Sequence, residues 1–268
     1  MQLLDGKKAK EFYLEQLKTR LMFMSSAPKL VVIQVGDRED SNSYIKSKKI
    51  FAEKLGAELI HEKLDIDIKK DQIIKTIRKY NKDESVNGII VQLPLPDHLN
   101  PDEIIKEINS KKDVDGLTEN SIYTPATARG IKELLEFYKI KLKNKKVTII
   151  GRSKIVGKPT AIMCENEGAK VTVCHSKTEN IPEKTKKADI VIVAIGKPHL
   201  INDKYFSKGQ VVVDVGITRV EDRLLGDVNF DKVKDIVSYI TPVPGGVGQM
   251  TVLALFENLV DSCYNAGL

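Results

Sequence analysis

Short apolar runs alternate with amphipathic stretches of helical period along almost the whole chain, and this alternation limits the fold more than any other feature. Leu30–Val35 reads as a buried strand. Ser41–Leu55 reads as a helix with Ser41 at its N-cap and Gly56 as its stop. Glu58–Leu64 and Gly88–Leu93 are the next strands, with a helix near Gln72–Tyr80 between them. After a loop and helix over Thr124–Lys139 the pattern restarts, with strands at Lys146–Ile150, Ala169–Cys174, Ile190–Ala194 and Val211–Val215 and a short fifth at Tyr239–Thr241. Strands alternating with helices build parallel sheets covered by helices, so the expectation is two α/β domains meeting near residues 117–125.

Composition removes several classes. At 268 residues, 41% of them hydrophobic, the chain is long enough for two modest cores. The first residues show no charged segment leading into an apolar one, and no apolar run approaches the ~20 residues needed to cross a bilayer. The expectation is a soluble cytoplasmic protein without membrane partners. Cys164, Cys174 and Cys263 are odd in number and lack CxxC spacing, and His61, His98, His175 and His199 form no HxxxH pair. Neither a disulfide framework nor a metal site is expected. The net charge is +6, but lysine runs such as Lys139–Lys146 carry no interleaved aromatic stacking platform. They read as a solvated surface that favours an anionic small molecule over nucleic acid.

The strand ending at Ile150 is followed by Gly151-Arg-Ser-Lys-Ile-Val-Gly157 and then by a helical run through Ile162 and Met163. Strand, glycine turn and helix N-terminus present backbone N–H groups to phosphates, although this spacing alone also fits an ordinary turn. The next strand ends Cys174-His175-Ser176-Lys177, with no carboxylate to accept bonds from a ribose 2′-hydroxyl. Arg152 and Ser176 instead suit a 2′-phosphate, which favours NADP over NAD.

Tyr44 and Lys48 lie four apart on one face of the first-domain helix, a spacing also common on solvated helices. Gln92 ends a buried strand just before Pro94 and Pro96, and Asp113 and Asp115 precede the seam. The carboxyl ends of parallel strands form the usual ligand crevice, yet Gln92 also fits a capping amide and either aspartate a turn former. Pro242-Val-Pro-Gly-Gly-Val-Gly-Gln-Met-Thr251 is either a surface turn or a backbone shaped to a ligand. In the second case side chains at Gly245, Gly246 or Gly248 would fill the ligand's space.

Five motifs then stand in one order: SxxYxxxK (Ser41, Tyr44, Lys48), GIIVQLPLP (Gly88–Pro96), KDVDGL (Lys112–Leu117), GRSxIVGKP (Gly151–Pro159) and PVPGGVGxMT (Pro242–Thr251). On these the sequence resembles the bifunctional methylenetetrahydrofolate dehydrogenase/methenyltetrahydrofolate cyclohydrolase family, the FolD type, over nearly its whole length. The resemblance implies NADP-dependent oxidation of 5,10-methylenetetrahydrofolate and hydrolysis of the methenyl product to 10-formyltetrahydrofolate, within one-carbon metabolism and purine biosynthesis. It implies a folate-binding catalytic domain over 1–120 joined by a C-terminal helix over 250–268, and a Rossmann-type NADP-binding domain over 121–249. The active site would lie in the cleft between them, in a homodimer.

By the same resemblance Lys48 is the central catalytic residue, Gln92 its hydrogen-bonding tuner, Tyr44 the stacking partner of the folate and Asp115 the carboxylate on the pterin. Val91, Leu93, Pro244, Gly245 and Gly246 would also meet substrate. Arg152 and Ser176 would hold the 2′-phosphate and Ser153 another phosphate. Gly151 and Thr251 would contact the cofactor and Ile217 its nicotinamide side. Lys48, Gln92 and Asp115 kept together argue against a monofunctional member and against a non-catalytic nucleotide binder. Two positions depart from the family: Gln249 stands at a usual proline, with a bearing on the balance of the two activities, and Pro125-Ala126-Thr127-Ala128 replaces Pro-Cys-Thr-Pro, with small effects expected.

Overall fold

Lys29–Val35 forms strand β2, buried at every position after Lys29, and it is the centre of a three-stranded parallel sheet. The computed structural model describes residues 1–265. Two elements precede β2, strand β1 (Gln2–Leu3) and helix α1 (Gly6–Leu21). Helix α2 (Glu39–Leu55) follows it and leads to strand β3 (Glu58–Leu64), helix α3 (Lys70–Lys82), strand β4 (Gly88–Val91) and helix α4 (Pro101–Ile105). Both β3 and β4 pair with β2 in parallel. The apolar face of α3, with Ile73 and Ile77 four apart, packs on Val31, Ile33, Val35 and Ile89. Both isoleucines are fully buried, and truncation of either to alanine costs about 2–5 kcal/mol.

Helix α5 (Ala126–Phe137) opens the second half. Strand β5 (Lys146–Ile150), helix α6 (Gly157–Asn166), strand β6 (Lys170–Cys174), helix α7 (Ile181–Lys186), strand β7 (Ile190–Val193) and strand β8 (Val211–Asp214) follow. A small antiparallel hairpin, β9 (Thr218–Val220) with β10 (Arg223–Leu225), then precedes helix α8 (Phe230–Val233), strand β11 (Tyr239–Ile240) and helix α9 (Val247–Asn265). Six strands form one parallel sheet in the order β1-β11-β8-β7-β5-β6. After β6 the chain crosses back over β5 to β7, so the order reverses at β5.

Contacts divide the chain into two compact units, Met1–Phe12 with Thr127–Thr251, and Tyr13–Ala126 with the chain from Val252. The first twelve residues group with the second sheet because Gln2 and Leu3 pair with Tyr239 and Ile240. Of the helix expected over 250–268, residues 266–268 lie outside the described residues, and its first turn is earlier, at Val247. Ser41 is not an N-cap: α2 starts at Glu39 behind Arg38, and Ser41 is buried within it. The backbone N–H of Ser41 is satisfied by the Asp40 carboxylate at 2.8 Å. Among the described residues no helix is long and apolar enough to cross a membrane.

Candidate functional site

In the unit built on β2, three segments bring four of the expected residues to the carboxyl ends of the strands. Helix α2 carries Tyr44 and Lys48 one turn apart; the tyrosine ring is 40% exposed, open to stacking, while the lysine is half-buried. Strand β4 ends at Val91, which is buried, and Gln92 still donates its N–H to Ile33 O at 2.8 Å. Leu93 is half-buried and a cis Leu93–Pro94 bond turns the chain away. The Lys48 ammonium donates to Gln92 Oε1 at 2.7 Å, and Gln92 Nε2 donates to Leu93 O at 2.8 Å. An ammonium can only donate, so the amide oxygen must face it.

The loop after Lys112 gives its two aspartates different surroundings. Asp113 is buried and builds the loop, accepting from Gly116 N at 3.1 Å, Thr118 N at 2.7 Å and Thr118 Oγ1 at 2.8 Å. Asp115 instead sits within electrostatic reach of Lys48. Burial pushes its carboxyl up to about 6, against the pull of the lysine. Burial likewise holds the Lys48 ammonium below the usual lysine range, with Asp115 opposing. Gly116 needs its positive φ of 74°, and a Cβ there would lie 2.7 Å from the Pro125 backbone. Asn258, on the second half of α9, donates to Val114 O at 2.8 Å and Thr124 O at 3.0 Å and ties both ends of this loop. Sequence reasoning missed Asn258; an amide inside the apolar stretch of α9 was the available signal.

In the unit of the six-stranded sheet, the register pairs Ile150 with Cys174, and Gly151 N donates to Cys174 O at 2.9 Å. Arg152 and Ser176, each two residues beyond that pair, are thus on adjacent exposed loops. Gly151 has φ 127°, and a Cβ would meet Ala194 O at 2.1 Å, while one on Gly157 would meet Gly151 O at 2.4 Å. No larger residue fits this turn. Ser153 Oγ accepts from Val156 N at 3.2 Å and Gly157 N at 3.3 Å, which places its hydroxyl at the N-terminus of α6. Ile217 follows β8 half-buried, and Thr251 Oγ1 donates to Val247 O at 3.2 Å inside α9.

The proline and glycine loop before α9 corrects part of the expectation. A Cβ on Gly246 would lie 2.6 Å from Pro242 O, and one on Gly248 would lie 2.8 Å from Ile217 Cδ1. Gly246 is thus required by the protein's own backbone packing, whereas the contact at Gly248 is with the end of a flexible side chain. Only Gly245, at φ 108° and with nothing closer than 3.7 Å to an added Cβ, keeps its open side. Pro244, in a cis bond to Val243, is exposed beside it. Gly6 N donates to Gly245 O at 2.9 Å, so the start of α1 braces the loop. Gln249 Oε1 accepts from the Lys10 ammonium.

A parallel sheet whose strand order reverses at β5, with a glycine turn and helix N-terminus directly after that strand, defines a dinucleotide-binding α/β protein of Rossmann type. Its other unit presents a lysine, an amide and a carboxylate together, which adds chemistry to binding. The chain belongs to the tetrahydrofolate dehydrogenase/cyclohydrolase family: residues 4–115 match that family's catalytic domain and residues 125–266 its NAD(P)-binding domain. It is 46% identical over 266 residues to the bifunctional protein FolD of Acholeplasma laidlawii, covering 96% of each chain. The solved bifunctional methylenetetrahydrofolate dehydrogenase/cyclohydrolase of Campylobacter jejuni superposes with a TM-score of 0.96 at 42% identity, covering 99% of both chains. The Trypanosoma brucei enzyme, solved with NADP cofactor and inhibitor, superposes with a TM-score of 0.92 at 32% identity over 98% of this chain and 97% of that one.

Proposed function

We propose that this protein oxidises 5,10-methylenetetrahydrofolate with NADP and hydrolyses the 5,10-methenyl product to 10-formyltetrahydrofolate. The observation that carries the reading is the Lys48 ammonium at 2.7 Å from Gln92 Oε1 with Asp115 in electrostatic reach. In the oxidation a hydride leaves a carbon flanked by two nitrogens, which share the resulting positive charge. That step asks mainly for positioning. When bound, NADP supplies the acceptor for that hydride. Hydrolysis asks for more: water adds to the methenyl carbon, its proton must be taken up, and the bond from that carbon to N5 breaks as N5 gains a proton. Lys48 is the base for the added water. Burial already disfavours its charged form, and the adjacent cation disfavours it further.

Gln92 aims the lysine and moderates its basicity, Tyr44 stacks on the folate, and Asp115 accepts bonds from N–H groups of the pterin. Val91, Leu93, Pro244, Gly245 and Gly246 complete the substrate contacts. The donor set fits NADP: Arg152 and Ser176 stand exposed on neighbouring loops and suit the charge of a 2′-phosphate. Ser153 and Gly151 lie at the N-terminus of α6 for a further phosphate, with Ile217 on the nicotinamide side and Thr251 a further cofactor contact. Gln249, held by Lys10, lines this region and bears on the balance of the two reactions. A cytoplasmic homodimer in one-carbon metabolism and purine biosynthesis is the setting. Edge strand β6, with Val173 39% exposed, and Ile162 of α6, 47% exposed, support pairing with a second copy. The test is one spectrophotometric assay with methylenetetrahydrofolate and NADP that follows methenyl formation and loss. Absence of both signals would refute the proposal.

A further inference from the structure

At the carboxyl edge of the six-stranded sheet two carboxylates outside the set above are almost fully buried, Asp214 at 3% exposure and Asp227 at 0%. Asp227 Oδ2 accepts from Ile195 N at 2.7 Å and Gly196 N at 3.0 Å, and its Oδ1 accepts from Lys197 N at 2.7 Å. Asp214 Oδ1 accepts from Gly216 N and Asp227 N, both at 3.1 Å, and its Oδ2 accepts from Val228 N at 2.9 Å. Backbone N–H groups from three separate segments therefore end on two side chains. The surroundings are closed: a Cβ on Gly216 would lie 2.2 Å from Asp227 Cγ, and one on Gly226 would lie 2.0 Å from Asp214 Oδ2. Among the described residues no group of three or more His, Cys, Asp or Glu is arranged to hold a metal ion. The pair is a backbone clamp.

The clamped segments face the dinucleotide side. Ala194, which leads into the Ile195–Lys197 segment, donates to Ile150 O at 2.8 Å, and its carbonyl oxygen is the atom that closes the Gly151 turn. Strand β7 lies next to β5, where the strand order reverses and the ligand crevice of such sheets opens. Gly216 precedes Ile217, whose side chain packs on Gly248. We propose that Asp227, seated on Asp214, is a positioning residue for the oxidation. It fixes the backbone of Ile195–Lys197, and through Asp214 that of Gly216 and Ile217, in the shape that receives the dinucleotide. This rests on the NADP-dependent reading given above. An asparagine of the same shape offers one acceptor oxygen, and its NH₂ would face N–H donors.

The experiment compares wild type, Asp227→Asn and Gly196→Ala in two assays on the full chain: oxidation with varied NADP, and hydrolysis of methenyltetrahydrofolate without NADP. Calorimetric NADP binding and thermal melts are run on the same samples. Gly196 has φ 66° and nothing within 4 Å of an added Cβ, so its alanine variant strains the loop while leaving the carboxylates and the packing intact. Asp227→Asn is expected to lower kcat/KM for NADP and NADP affinity by about tenfold or more. Hydrolysis is expected to stay within about twofold, because Lys48, Gln92 and Asp115 lie in the other unit. Unchanged NADP efficiency in Asp227→Asn overturns the proposal, as does the same result in Gly196→Ala if Asp227→Asn does not fold. Equal loss of both activities also overturns it. A wild-type protein without any oxidation would instead overturn the functional reading.

Discussion

Replacing Gln92 by methionine removes one hydrogen-bond acceptor at little change in length, and its effect on Lys48 can be worked out. Gln92 Oε1 lies 2.7 Å from the ammonium and favours the protonated form, since the neutral amine has less charge to offer it. A hydrogen bond to a charged group contributes about 1.5–3 kcal/mol, and one pH unit corresponds to about 1.4 kcal/mol. The Lys48 pKa, already held down by burial, is therefore expected to fall further. The acid limb of the hydrolysis profile should move to lower pH, by about one pH unit for each ~1.4 kcal/mol the bond contributes. Its plateau should drop, because the amine is a weaker base and is no longer aimed. The assay is kcat/KM for methenyltetrahydrofolate against pH, after subtraction of the uncatalysed rate. The Leu93 carbonyl loses the Gln92 Nε2 donor, so a melt on the same protein separates folding from chemistry. An unmoved midpoint, or one moved to higher pH, would show that Gln92 does not stabilise the Lys48 ammonium.

Three further outcomes follow from the same geometry. Asp115 titrates near 6, so its acceptor form is lost as pH falls through that value, and folate affinity measured by calorimetry should weaken below pH 6 and level off by pH 7. Asp115→Asn should remove this dependence and weaken binding by about tenfold to a hundredfold, and a flat wild-type profile would contradict it. Arg152→Ala should raise KM for NADP by about tenfold or more while leaving the efficiency with NAD unchanged; wild-type parity between NAD and NADP would argue against the 2′-phosphate assignment. Asn258→Ala leaves the Val114 and Thr124 carbonyls without their amide donor and should cost about 1–3 kcal/mol, seen as a lower melting temperature.

β5, buried after its first residue, occupies the span read from the residues, and so does β3 although it mixes polar and apolar residues. Strand β1 is two exposed residues that become a strand only by pairing with β11, more than two hundred residues away, and no local pattern announces such a partner. The β9–β10 hairpin has only three residues in each strand, too few to show an alternation. For the site, period and strand ends point to Lys48 and Gln92 separately, and only the fold brings them to hydrogen-bond distance. Asp113 and Asp115 share one motif, and which carboxylate builds the loop depends on where the Gly116 and Thr118 N–H groups point. Asp227 gives no signal at all, because its partners are backbone groups of a distant loop.

Lys48→Met in the two-step assay separates the proposed role of Lys48 as hydrolytic base from any role in folate binding. With methylenetetrahydrofolate and NADP, the variant should bind folate and should turn over any methenyl product only at the uncatalysed rate. Wild type should consume that product as it forms. Wild-type hydrolysis by the lysine-free variant would remove Lys48 from that role.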